Sequence, residues 1–262
     1  MRWYTGLFAL IVFIASLLLL PHGGSDWYAT FMPAARHGWS APWEHGVPSP
    51  PYAALMLYPV ALLPSCWGTA LVNGLSVLVL ARLARRWGGA EWVILLVLAS
   101  PVGACLFLCG QIDVLILAGV LLPESLGALV YTLKPQVGLW IVVARCKRLL
   151  GRPLVIMSIA GLVSLLIWGW WPGQMMDFAA MLIPAVWNAS LWPYLAPMGV
   201  WCVWRAWRTQ DERYGIMASP LLFPYVSIQS YVGLLTIVAV RWPRWAVLVW
   251  LLMDAGAVLV LM

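Results

Sequence analysis

The fifteen lysines and arginines of this chain are not scattered along it; they stand in short clusters between apolar runs. Arg82, Arg85 and Arg86 form one cluster, and Arg145, Lys147, Arg148 and Arg152 a second. Arg205, Arg208 and Arg213 make a third, and Arg241 with Arg244 a fourth. Loops on the cytoplasmic side of a membrane carry such an excess of Lys and Arg. Threading the runs back and forth brings every basic residue to one side except Arg36 and Lys134. A nucleic-acid partner would instead require a basic stripe along one polar face, so none is expected. Composition agrees: 9% of residues are charged and 64% apolar, against roughly a quarter charged in a soluble domain, which leaves too few charges for a water-facing surface. Many of the nineteen tryptophans flank the runs, including Trp3, Trp87, Trp92, Trp171, Trp192, Trp207, Trp242 and Trp245, as indole does at a headgroup boundary.

The expected fold class is therefore an all-α integral membrane protein, a polytopic bundle of about 8–11 transmembrane or re-entrant helices, each full span needing about 20 residues. It reads as a single transmembrane domain over 1–262 in the inner (plasma) membrane, multi-pass, with its N-terminus cytoplasmic. The first run, Trp3 to Leu20, offers no small-residue cleavage site before Pro21 and reads as a retained anchor. External loops are expected at 21–51 and 171–190. Full spans are predicted at Cys66 to Leu83, Glu91 to Cys109, Pro153 to Trp170 and Trp245 to Leu261, with Leu191 to Trp204 as a further apolar run. Tyr52 to Leu63 is too short to cross and reads as interfacial or re-entrant. Ile112 to Leu122, Leu126 to Leu133 and Val137 to Ala144 are shorter still, and Ile216 to Phe223 with Tyr225 to Val240 makes a broken pair. Broken helices survive at membrane depth where they are buried in protein or line a watery cavity.

Charges that break the pattern carry the functional signal, because an ionisable group at that depth costs at least about 2.5 kcal/mol on insertion scales. Lys134 lies between two short pieces in Leu133-Lys134-Pro135-Gln136, where Pro135 ends the helical path. Its ammonium suits a phosphate, or it snorkels to the headgroups. Gly110-Gln111-Ile112-Asp113 opens the first short helix, where free amides favour anions; Asp113 either faces the cavity or pairs with Lys134. Asp26, in Gly23-Gly24-Ser25-Asp26-Trp27-Tyr28, stands just beyond the first run. It is either a general base or the N-cap of an interfacial helix. His22, His37 and His45 share a loop with Asp26 and Glu44 in no metal-binding spacing, so no metal or other cofactor is predicted. The five cysteines show no metal spacing either, and Cys105 and Cys109, one helical turn apart, read as small buried hydrophobes. Asn188-Ala189-Ser190 fits a glycosylation sequon, a pattern too short to weigh.

The order of these motifs resembles the GT-C glycosyltransferases, membrane enzymes that use polyprenyl-phosphate-linked sugars, and within them the bacterial alpha-mannosyltransferase branch. The resemblance runs through Asp26-Trp27-Tyr28, Pro50-Pro51-Tyr52 to Pro59 and Pro64, Gly110 to Asp113, and Gly127 to Pro135, with Ser219-Pro220 to Tyr231 as a fainter fifth stretch. It implies a hexosyltransferase, with mannose as the sugar by analogy, acting on the extracytoplasmic side. By the same resemblance Asp26 is the general base, while Lys134, Arg36 and His37 face the donor phosphate. Tyr28, Gln111, Asp113, Gln229 and Tyr231 would line the cavity. Its partners would be a polyprenyl-phosphate-linked sugar, a lipid or glycan acceptor and membrane lipids. The chain is short for that family, and the linker at Pro123-Glu124-Ser125 is compressed. The alternative is a non-catalytic membrane subunit or scaffold that keeps the fold and binds other membrane subunits.

Overall fold

A computed structural model describes residues 3–37, 45, 49–185, 188–245 and 247–248. Glu44 and nearly all of the run after Trp245 lie outside the described residues, which form helices and no strands.

Helix α1 (Trp3–Leu19) leads into a single π turn, Trp27–Phe31, which continues as α2 (Met32–Arg36). Two short helices, α3 (Pro51–Met56) and α4 (Tyr58–Ala61), precede the long α5 (Ser65–Arg86). The expected span from Glu91 to Cys109 is broken into α6 (Val93–Leu98) and α7 (Pro101–Cys109). The break follows from sequence: Pro101 starts a new helix, and the Ser100 hydroxyl accepts from the Gly103 amide as its N-cap. Three short helices come next: α8 (Asp113–Ala118), α9 (Glu124–Tyr131) and α10 (Pro135–Ala144). After α11 (Cys146–Leu149), α12 (Arg152–Trp168) bends by 88° into α13 (Trp171–Met181), so the segment expected as an external loop contains a helix. Helices α14 (Ala196–Thr209) and α15 (Glu212–Leu222) follow, then a 3-10 turn at Ile228–Tyr231 and α16 (Val232–Arg241).

Small and polar side chains bring the helices together. α1 buries only Thr5, Ala9 and Ser16, and packs along α5. There Asn73 Nδ2 donates to Ser16 Oγ at 3.0 Å and to the Phe107 carbonyl at 3.0 Å, tying α1, α5 and α7 together. α12 buries only Pro153 and Ser164, while Ile159, Leu162 and Leu166 point outward, Leu166 with 86% of its surface exposed. The central core gathers Trp27, Leu80, Leu106, Ile112, Ile116, Ile141 and Leu235, with α10 and α15 packed against each other.

The two ends of the bundle differ. Arg86 pairs with Glu212 at 3.1 Å, joining the end of α5 to the start of α15, and the Lys147 amide donates to Gln210 at 3.2 Å. The far half of α15 meets the start of α10, where the Ser219 hydroxyl donates to the Gln136 carbonyl. The basic clusters and the Arg86–Glu212 pair therefore share one end, and Gln111, Gln136 and the Lys134–Asp113 pair lie toward the other. Among the described residues, one helix is long and apolar enough to cross a membrane alone, α5; α12 and α13 pass that test only as a bent pair. α1, α10 and the stretch Ile228–Arg241 are apolar but shorter.

Candidate active site

Two glycines fix the position of Asp26. The Gly24 amide donates to Thr69 Oγ1 at 2.9 Å, and a Cβ on Gly24 would stand 2.5 Å from the Cys109 carbonyl carbon and the Gly110 nitrogen. Gly110 ends α7 in the left-handed region, at φ 65°, a conformation that closes helices readily only without a Cβ. This backbone-to-backbone approach brings the Ser25-Asp26 turn beside Gln111. Trp27 is the anchor, fully buried with its ring against Gly68. Asp26 precedes the π turn, yet its side chain makes no capping hydrogen bond. It accepts instead from Gln111 Nε2, and from Gln229 Nε2 at 3.4 Å, both on Oδ2, with the Ser25 hydroxyl 3.3 Å from Oδ1.

Lys134 sits at the tip between α9 and α10. Pro135 opens α10 and excludes helical backbone at the residue before it, and Lys134 has φ −143° and ψ 88°. Gly138 lets α10 fold back tightly, since a Cβ there would meet the Tyr131 carbonyl at 2.0 Å. Nζ of Lys134 lies 2.6 Å from Asp113 Oδ2 and 3.2 Å from Gln111 Oε1. The other Asp113 oxygen accepts from the Ser230 hydroxyl at 2.6 Å. Gln111 thus bridges the carboxylate of Asp26 and the ammonium of Lys134, using its amide NH2 on one and its carbonyl on the other. Lys134, Gln111 and Gln229 are all buried.

These groups line a cavity of about 500 Å³ that includes Asp26, Gln111, Lys134 and Gln229. Phe31, Phe178, Leu182 and Ile228 give it apolar walls, and Ser49, Gln136 and Ser227 add polar ones. One wall is knitted from two distant segments. Asn188 Nδ2 donates to the carbonyls of Ile183 and Pro224, each at 2.8 Å, and its Oδ1 accepts from the amides of Val226 and Ser190, each at 3.0 Å. The Ala189 amide donates to the Val226 carbonyl at 2.7 Å, and the Tyr231 hydroxyl to the Ala189 carbonyl at 2.8 Å. The sequon asparagine is therefore a clasp between the segment after α13 and the segment before α16.

Several expected site residues lie elsewhere. Arg36 is exposed and donates to the carbonyls of Ala61 at 2.7 Å and Leu63 at 3.1 Å, closing the end of α4. The His37 ring stands 5.4 Å from that of His45, away from the cavity wall. Tyr28 is 56% exposed, because the π turn directs Trp27 and Phe31 inward and Tyr28 out. Tyr231 is buried in the clasp, and Asp113 is fully buried behind Lys134, so neither forms the wall. Cys105 and Cys109 do line the cavity and are only partly buried. They were missed as site residues, although their spacing of four put both on one face of α7. Nothing in the local sequence marked Gln136, Phe178 of α13 or Leu182 just past that helix. Among the described residues no group of three or more His, Cys, Asp or Glu is arranged to hold a metal ion.

Compared with known proteins, the chain matches no family model, no curated protein and no solved structure.

Proposed function

We propose that this chain is a polytopic membrane glycosyltransferase that moves a hexose from a polyprenyl-phosphate donor to an acceptor hydroxyl, with Asp26 as the general base. The observation that carries the reading is the convergence of Asp26 and Lys134 on one cavity, linked through Gln111. A carboxylate tied by its Oδ2 to two amides, with only the neighbouring Ser25 hydroxyl at 3.3 Å on Oδ1, keeps a lone pair of Oδ1 for the incoming hydroxyl, within the reach that general-base catalysis needs. The hydroxyl oxygen attacks the anomeric carbon as its proton passes to Asp26, and the bond from that carbon to the phosphate oxygen breaks, leaving polyprenyl phosphate. The phosphate gains charge at this point. Lys134 has three N–H donors, two of which meet Asp113 and Gln111, and the third serves the leaving phosphate by electrostatic stabilisation.

Membrane residence is supported by the inverted packing of α1 and α12, whose buried positions are small or polar while large apolar side chains face outward. Small residues at helix contacts and apolar residues on the outside are how helices associate in lipid. The basic clusters then mark the cytoplasmic end, and the cavity opens toward the other face, where lipid-linked sugars are used in the family that the sequence resembles.

A second reading is a scaffold subunit that keeps this fold without chemistry. One feature favours it: Lys134 is already neutralised by Asp113, an arrangement that packing alone would retain. Purified protein in detergent, given polyprenyl-phosphate-linked mannose and a panel of lipid and glycan acceptors, separates the two. The transferase reading expects release of polyprenyl phosphate coupled to acceptor glycosylation. Neither product forming with any donor or acceptor in the panel, by protein of native fold, would favour the scaffold.

A further inference from the structure

A second cavity, of about 390 Å³, lies at the opposite, basic end of the bundle between the ends of α5 and α16 and the start of α15. Its charged groups are Asp211, Arg213 and Arg241, and Trp87, Trp201 and Trp242 are among its walls. Arg213 and Asp211 satisfy each other: Nε lies 3.0 Å from each carboxylate oxygen and Nη2 2.6 Å from Oδ2. That leaves Arg241, exposed and without an ion pair among the described residues, as the uncompensated charge. The remaining wall is apolar and continuous with the core side of α15 and α16 through Met217, Ile237 and Val240. Tyr214 is held edge-on to Trp201 at 5.7 Å and lies beneath Arg205 at 5.4 Å, so the aromatic side is braced from behind.

We infer that this pocket binds one anionic phospholipid of the cytoplasmic leaflet, its headgroup phosphate on Arg241 and the upper part of its chains against Trp201, Met217 and Val240. The occupant follows from charge and shape together. One free guanidinium beside a neutralised pair attracts a monoanion, and indoles flanking an apolar wall match the boundary between headgroup and acyl chain. The inference rests on the membrane reading but not on glycosyl transfer.

The test is native mass spectrometry of the full chain from neutral detergent micelles doped with phosphatidylglycerol or phosphatidylcholine. One phosphatidylglycerol per chain should be retained about fivefold more than phosphatidylcholine, the preference one surface arginine supplies. Arg241→Gln should abolish the preference, while Arg208→Gln, which removes an exposed arginine at the same end outside the pocket, should leave it intact. Equal retention of both lipids, or a folded Arg241→Gln variant that keeps the preference, overturns the inference. So does loss of the retained phosphatidylglycerol when inorganic phosphate is added at constant ionic strength, which would make the pocket a simple anion site. A chain that stays monodisperse in water without detergent would instead overturn the membrane reading, a result visible before any lipid is added.

Discussion

Lys134 and Asp113 form a buried ion pair, Nζ to Oδ2 at 2.6 Å, in which Asp113 is fully buried and Lys134 exposes only 7% of its surface. Charges so placed are costly apart and balanced together. Asp113→Ala leaves an ammonium with no counter-ion and is expected to destabilise the fold by about 3–5 kcal/mol, the usual cost of breaking a buried pair. The double variant Asp113→Leu with Lys134→Met should recover most of that loss while remaining inactive. Thermal unfolding in detergent reads both effects, and a double variant no more stable than Asp113→Ala would mean that the pair is not the balanced unit described.

Gly110→Ala places a Cβ 2.9 Å from the Trp27 Cβ, at a residue whose φ of 65° is already unfavourable for other side chains. The left-handed backbone alone costs about 1–2 kcal/mol, and the contact pushes the Asp26 turn away from Gln111. The expected result is a lower unfolding midpoint together with loss of transfer. Gly161→Ala provides the contrast: no atom lies within 4 Å of a Cβ there, and alanine is the better helix former, so stability should hold or rise slightly.

Asn188→Ala removes the clasp that holds one cavity wall. Four polar contacts are lost, and with net values of about 1 kcal/mol per hydrogen bond offset by new water contacts, the expected destabilisation is about 1–3 kcal/mol. Because Gln229 stands on the clasped segment, transfer should fall more than stability does. Both amide hydrogens of Asn188 are committed to carbonyls, so the folded protein should carry no glycan at the sequon. A mobility shift reversed by a glycosidase would contradict the clasp.

Asp211 lies between α14 and α15, outside any apolar helix. Burial pushes its carboxyl up, but the side-chain and backbone donors of Arg213 outweigh burial and hold it below the ordinary 3.8. A depressed carboxylate contributes stability above its unfolded pKa and loses it as pH falls through the lower folded value. Asp211→Asn should therefore cost about 0–1 kcal/mol at neutral pH, discounted because the pair is partly exposed. The difference from wild type should fade as pH falls through that lowered pKa, and a difference that persisted once the carboxyl is protonated in both states would assign the effect to packing.

Much of the cavity was legible in the sequence because its groups are exceptions. Asp26, Gln111 and Lys134 are polar where the chain is otherwise apolar, and a neighbouring signal fixes the backbone of each: Gly23-Gly24 before Asp26, Gly110 before Gln111 and Pro135 after Lys134. Gln229 entered through the family resemblance, and the fold brings it to Asp26. The choice between a cavity-facing and a paired Asp113 needed the distance to Lys134. Arg36 misled for a physical reason: a loop guanidinium looks free until the carbonyls of Ala61 and Leu63, at and just beyond the end of α4 where Pro64 brings no amide to continue the helix, are seen to take it. Tyr28 misled because its direction depends on a π turn, which no residue pattern announces. Helical structure throughout the described residues agrees with the apolar runs read as membrane helices, but the expected span lengths do not hold. Pro101 divided one run, and the sharp turn after Trp168 laid α13 across the direction of α12.

Transfer by the Asp26→Asn variant tests the central claim most directly, with a polyprenyl-phosphate-linked sugar as donor. Asparagine keeps the size and still meets Gln111 and Gln229, so the unfolding midpoint should stay close to wild type, while loss of the base should lower the rate by about a hundredfold or more. Full activity in a folded Asp26→Asn protein would contradict the assignment of Asp26 as the base.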